Sequence, residues 1–133
     1  MDKNFVAKLR KKILESDDLP VEKVEVPEWG GAEIYIRAMN GKERDEFEFS
    51  LLDNKGEVSK ENFRARLLVQ TLCADSKGEH RIFSMDDIEA LGKKSAAALD
   101  RCLEKTKSLS GISDEDQEKM LKNSETPQEE GTG

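Results

Sequence analysis

The chain has 133 residues, 38% of them charged and 5% aromatic, with a formal net charge of −7. Leu, Ile, Val and Phe number 13, 6, 6 and 5, which suffices for one lean core, so a single small domain with polar margins is expected. An acidic chain without a concentrated basic groove makes a poor nucleic-acid binder, because phosphate neutralisation drives that affinity, and no apolar run approaches the roughly 18 residues of a membrane span.

Residues 3–15 read as a short amphipathic helix. Phe5, Val6, Leu9, Ile13 and Leu14 recur at helical spacing, and the other face is basic. The first sixteen residues carry +3, from Lys3, Lys8, Arg10, Lys11 and Lys12 against Asp2 and Glu15. Asp17, Asp18 and Pro20 end the helix. No continuous apolar stretch marks this segment as a signal peptide.

Residues 21–38 change period. Val24 and Val26 alternate with Lys23 and Glu25, and Ile34 and Ile36 alternate with Glu33, Tyr35 and Arg37. Pro27-Glu28-Trp29-Gly30-Gly31 lies between the two runs, so a β-hairpin is predicted, packed on helices because an isolated hairpin is marginal. Pro27 makes the first strand an edge or ends it. Residues 41–52 read as a charged helix with Phe47, Leu51 and Leu52 on its apolar face, and residues 54–59 as a polar loop.

Residues 60–74 give the clearest helical stripe, through Phe63, Leu67, Leu68, Thr71 and Leu72. Residues 75–81 form a turn. Ser84 with Asp87 resembles a capping box and opens a segment through Ile88 and Leu91. Gly92 then breaks the helix, and Ser95 caps the next one, through Ala96, Leu99, Cys102, Leu103, Thr106 and Leu109. The alternative is one helix that tolerates Gly92 at a cost of about 1 kcal/mol. Gly111 ends this element. Ser113 and Asp116 repeat the capping pattern before Met120 and Leu121. From Asn123 onward, the Ser, Thr, Pro, Gln, Glu and Gly composition predicts disorder.

The fold class is therefore mainly α with a small β-hairpin (α+β): a compact helical domain with a disordered acidic C-terminal tail. Its divisions are an N-terminal amphipathic helix (1–20), a hairpin-plus-helices domain (21–122) and the tail (123–133).

Catalytic chemistry is not signalled. His80, the single histidine, lies in the polar turn Lys77-Gly78-Glu79-His80, where a solvated side chain is the ordinary case. Cys73 and Cys102 each fall on the apolar stripe of a predicted helix, without C-x-x-C or Cys/His spacing. They read as buried free thiols in a reducing cytoplasm. Acid runs such as Glu43/Asp45/Glu46 and Asp86/Asp87/Glu89 match solvated helix faces and no EF-hand spacing, and neither Gly30-Gly31 nor Gly41-Lys42 fits a P-loop. No catalytic residue, metal ligand or cofactor is expected. Trp29 could anchor a partner from the hairpin tip or fold back over the core.

Residues 23–52, with Val26-Pro27-Glu28-Trp29-Gly30-Gly31, Ile34-Tyr35-Ile36-Arg37 and Gly41-Lys42-Glu43-Arg44, resemble the tail assembly chaperones of long-tailed siphophages and prophages. The likeness continues through Phe63-Arg64-Ala65-Arg66-Leu67-Leu68-Val69, Phe83 and Asp86-Asp87-Ile88. It is strongest over Leu91-Gly92-Lys93-Lys94-Ser95-Ala96-Ala97-Ala98-Leu99-Asp100-Arg101 and Leu109-Ser110-Gly111. It covers roughly residues 20–125, and the order and spacing of the pieces carry it.

The resemblance implies a non-enzymatic chaperone. It would bind the tape measure protein, keep it soluble and help recruit tail tube subunits. It would act in the cytoplasm of the infected or lysogenic host and be absent from the mature virion. A programmed frameshift would add a domain that contacts the tube protein, and the codons of Leu121-Lys122-Asn123 can spell a slippery run. The alternative is a structural tail or head–tail connector protein retained in the virion. Helix-in-groove recognition places the expected client groove along residues 60–74 and 96–109. Phe63, Leu67, Val69, Leu99 and Leu103, together with Trp29, are the expected contact residues. Self-association is a further possibility.

Overall fold

The structure is a computed structural model that describes residues 1–122. It is mostly helical with one three-stranded antiparallel sheet. The helices are α1 (Lys3–Glu15), α2 (Gly41–Ser50), α3 (Phe63–Leu68), α4 (Ile88–Gly92), α5 (Ala96–Ser110) and α6 (Asp114–Lys122). The strands are β1 (Val21–Val26), β2 (Ala32–Arg37) and β3 (Leu72–Cys73).

The hairpin forms as the alternation predicts, in a register from Val21 opposite Arg37 to Val26 opposite Ala32. Pro27 ends β1 and starts a 3-10 turn over Pro27–Trp29. Gly30 (φ 68°) and Gly31 (φ 71°) then carry the chain back through left-handed backbone, and the amide of Gly31 donates to the Val26 carbonyl at 3.1 Å. Two consecutive positive φ values disfavour any residue with a Cβ, which is why the turn ends on a Gly pair.

Two sequence expectations need correction. The helix expected over residues 60–74 stops at Leu68, and Leu72–Cys73 pairs with β2 as a third strand, Tyr35 opposite Cys73 and Ile36 opposite Leu72. The hairpin is thus two strands of a three-stranded sheet, with β1 at its edge. β3 satisfies the second edge of β2, and its own outer side bonds onward: Ile82 N–H donates to Leu72 O at 3.0 Å and Ala74 N–H to His80 O at 2.8 Å. Leu72 and Cys73 are both fully buried. A short run buried on both faces has no period, so it passes for the end of a helical stripe. Cys73 accordingly sits on a strand, whereas Cys102 is on a helix as expected.

The predicted caps form. Ser84 and Asp87 make a reciprocal capping box before α4, and Ser95 Oγ accepts from the Ala98 amide at the start of α5. The break at Gly92 is real, and Gly111 terminates α5 in the left-handed conformation. Ser113 and Asp116 exchange amide–side-chain hydrogen bonds of 3.0 Å ahead of α6. The acidic tail expected to be disordered, residues 123–133, lies outside the described residues.

The core has two parts. Val26, Ile34 and Ile36 of the sheet pack with Ala65 and Leu68 of α3, Ile88 and Leu91 of α4, and Ala98, Leu99 and Cys102 of α5. Phe47 and Leu51 pack with Phe63, Leu67, Leu103 and Ile112, and Met120 and Leu121 of α6 lie against them. Phe47 and Phe63 meet edge to face, with centroids 5.7 Å apart. α3 and α5 contribute to both parts and are the spine of the fold.

A buried polar knot fixes the loop side. The Glu43 carboxylate accepts from the Asn40 amide at 3.0 Å, pairs with the Arg37 guanidinium, and has Arg81 at 3.9 Å. Arg37 also donates to the Gly78 carbonyl at 2.8 Å. β2, the start of α2 and the 75–81 turn are thereby tied to one carboxylate.

Candidate partner interface

The surfaces able to receive a partner start from the 27–31 turn. Glu28 on this turn pairs with Arg101 of α5, which pins the hairpin tip against the helix. The hydrogen bond from Arg101 holds the Glu28 carboxyl below its usual range and raises Arg101 in turn. With the turn pinned, Trp29 lies half-buried against the first core cluster beside Phe83 and leaves an apolar cleft. The cleft has a volume of about 470 Å³ and is lined by Trp29, Phe83, Ala90 and Leu91, with Glu28, Asp87 and Lys94 also on its wall.

A smaller depression of about 180 Å³ lies at the junction of α3, α4 and α5, lined by Phe63, Ala65, Ala96 and Leu99. Lys94 lines both hollows. The two are therefore neighbours, separated by one flexible side chain whose aliphatic stem can cover apolar surface.

The six expected contact residues divide sharply. Phe63, Leu67, Val69, Leu99 and Leu103 are all buried, with at most 8% of any one exposed. α3 and α5 fill most of the expected groove with each other. Phe63 and Leu99 line the small depression, and Leu67, Val69 and Leu103 line neither hollow. Of the six, Trp29 alone is partly exposed, and it also packs on the core.

α1 presents a second uncovered surface. Asp2 caps it through the Asn4 amide at 2.9 Å. All thirteen of its residues are exposed, including Phe5, Val6, Leu9, Ile13 and Leu14. An apolar stripe of that length left in water is uncommon on a folded domain. The spacing shows the stripe, but no periodicity tells whether a stripe faces its own core.

The remaining reactive groups are committed elsewhere. Burial pushes the Cys102 thiol up to about 11 and raises Cys73 as well, so both stay protonated and weakly nucleophilic at neutral pH. Asp75, Glu79 and His80 bring side-chain ligand atoms within 4.8 Å of one another. The Asp75 carboxylate, however, is occupied by the amides of Glu79 (3.1 Å) and His80 (2.8 Å). Partial desolvation raises its pKa, but those two amides outweigh it and hold the carboxyl below its usual range. The cluster acts as the cap of its own turn. The spacing Asp75-x-x-x-Glu79-His80 was the available signal for it.

Comparison with known proteins fits this arrangement. A family model described as phage tail assembly chaperone matches residues 8–120. No curated protein matches the sequence. Among solved structures, the bacteriophage HK97 tail assembly chaperone superposes with a TM-score of 0.55 at 19% sequence identity, over 81% of this chain and 99% of that one. At that identity the likeness shows a shared fold.

Proposed function

Because the chain belongs to the phage tail assembly chaperone family, a non-enzymatic one, we propose that its client is the tape measure protein, held along the line from the Trp29 cleft over Lys94 to the Phe63–Leu99 depression. The observation that carries this reading is the pair of adjoining hollows that share Lys94. An amphipathic client helix needs apolar pockets at i, i+3/i+4 and i+7 spacing, and two neighbouring hollows can take successive anchors. Trp29 is the contact anchor. Phe63 and Leu99 floor the second hollow, while Leu67, Val69 and Leu103 position α3 and α5 beneath it.

The high charge content supports the same role. A chain with 38% charged residues keeps an apolar client dispersed once the client's stripe is covered. Recruitment of tail tube subunits, through a frameshifted longer form, belongs to the same proposal. The Leu121-Lys122-Asn123 run lies partly outside the described residues, and reading the gene for a slippery heptamer with an overlapping frame tests it. The site of action is the host cytoplasm. Mass spectrometry of purified virions should find the chain absent or scarce; stoichiometric retention would favour a structural tail or connector protein instead.

Photo-cross-linking tests the groove. A benzophenone group at Lys94 should capture a co-expressed tape measure fragment, and one at the exposed Phe49, which lines neither hollow, should not. Capture at Phe49 alone would remove the proposed groove.

A further inference from the structure

Two features of the fold complement each other. α1 is a basic amphipathic helix with an uncovered apolar stripe, and the Trp29 cleft is an uncovered apolar hollow on an acidic body. Residues 1–16 carry +3, whereas residues 17–122 hold 17 lysines and arginines against 24 acids, a net −7. On the cleft wall Glu28 is paired with Arg101, Asp87 accepts from the Ser84 amide, and Lys94 supplies a cation. Asp86 and Glu89, both exposed, flank Asp87 in sequence.

We propose that, without client, α1 of one copy docks its Phe5–Leu9 stripe into the Trp29 cleft of a second copy, as a placeholder that a client helix displaces. The proposal rests on the reading of this cleft as a helix-binding groove. Charge selects a second copy over an unrelated partner, because the arm (+3) and the body of residues 17–122 (−7) have opposite net charge within one sequence. The arm stands off its own body, joined by the residue 16–20 linker, with all of residues 1–18 exposed. It is therefore free to reach another molecule.

The mechanism is exchange of one helix for another in one hollow. Leu9 and Phe5 take the place of the client's apolar anchors, and the α1 lysines meet the exposed Asp86 and Glu89 beside the cleft wall. Client binding and arm binding then exclude each other, so association of the chain with itself falls as client is added.

The test uses the full chain and two variants. Leu9→Glu spoils the arm and leaves the cleft intact. Ala90→Arg, at an exposed residue of the cleft wall, blocks the cleft and leaves the arm intact. Sedimentation velocity at about 100 μM, a concentration that detects weak association, should show wild type beyond monomer and each variant alone as monomer. Mixing the two variants should restore a pair, because one intact arm and one intact cleft remain. Association by Leu9→Glu alone, or no pair on mixing, would overturn the proposal. So would a monomeric wild type, whether its arm docks on its own body or binds phosphatidylglycerol vesicles instead. Circular dichroism melts of both variants should match wild type, since neither residue is buried; a shifted melt calls for Val6→Glu in place of Leu9→Glu, with the same outcomes expected. A monomeric wild type that still keeps tape measure protein soluble would end this inference and leave the chaperone reading standing. An associating wild type that fails on the client would do the reverse.

Discussion

Replacing Glu43 by Ala should cost about 3–4 kcal/mol of folding stability, in the range for breaking a buried ion pair from one side. The Glu43 side chain is 11% exposed and that of Arg37 17%. Arg37 Nε already lacks a partner. Without the carboxylate, the guanidinium keeps only its bond to the Gly78 carbonyl, at 2.8 Å. The capping bond from the Asn40 amide is lost as well, worth about 1 kcal/mol. Arg37 lines a cavity open to solvent on the Asp17–Val21 side, so water can partly re-solvate it, which is why the figure is kept near the lower end of the range. For a chain of this size, the loss lowers Tm by roughly 10–15 °C. Glu43→Gln keeps the capping acceptor and should lose about 2 kcal/mol, the penalty of the uncompensated arginine alone. The double change Glu43→Leu with Arg37→Met should recover most of the loss, because no charge is then left buried. Urea unfolding followed by circular dichroism reads all three. An Ala variant within about 1 kcal/mol of wild type would refute the view that one carboxylate ties β2, α2 and the 75–81 turn together.

Trp29→Ala should weaken binding of a tape measure fragment by about thirtyfold, the effect of losing a central aromatic anchor, while Phe49→Ala, at an exposed site that lines neither hollow, should leave it unchanged; fluorescence anisotropy separates them. Gly92→Ala should stay within about 1 kcal/mol of wild type, because the helix-propensity gain offsets turning Asn62 Oδ1, a side-chain tip 2.2 Å from the new Cβ, out of the way. Adding Asn62→Gly removes that clash and the positive φ of 56° at a non-glycine residue, so the double variant should melt at or above wild type. Cys102 and Cys73 should resist a thiol reagent at pH 8 in the native state and react on unfolding. Since burial raises both pKa values, the folded thiols keep their protons after the unfolded ones have lost theirs. Their contribution to stability is therefore complete below about pH 9 and declines as pH rises through the folded Cys102 value of about 11. Pulse labelling and a pH series of urea melts check both.

Local chemistry made much of this fold readable. Capping pairs such as Ser84/Asp87 and Ser113/Asp116, the Gly92 break and the Pro27–Gly31 turn all act through neighbours a few residues apart, and all appear where the sequence puts them. Strand β3 was not readable, because what makes Leu72–Cys73 a strand is the free edge of β2, some 35 residues earlier. The candidate surface was legible by half. Periodicity marks which residues are apolar but not which element covers them, so the α3 and α5 stripes looked available and are consumed by each other. The α1 stripe looked no different in sequence and is bare. Trp29 was distinguishable because a large aromatic in a Pro/Gly turn has few places to go, and the Glu28–Arg101 pair that positions it spans 73 residues.

The central claim, that this chain holds tape measure protein in a soluble state through the Trp29 groove, is tested most directly by light scattering. A tape measure protein released from denaturant should stay clear in the presence of about one equivalent of wild-type chain and cloud with the Ala90→Arg variant. Equal turbidity with wild type, with the blocked variant and with buffer alone would contradict it.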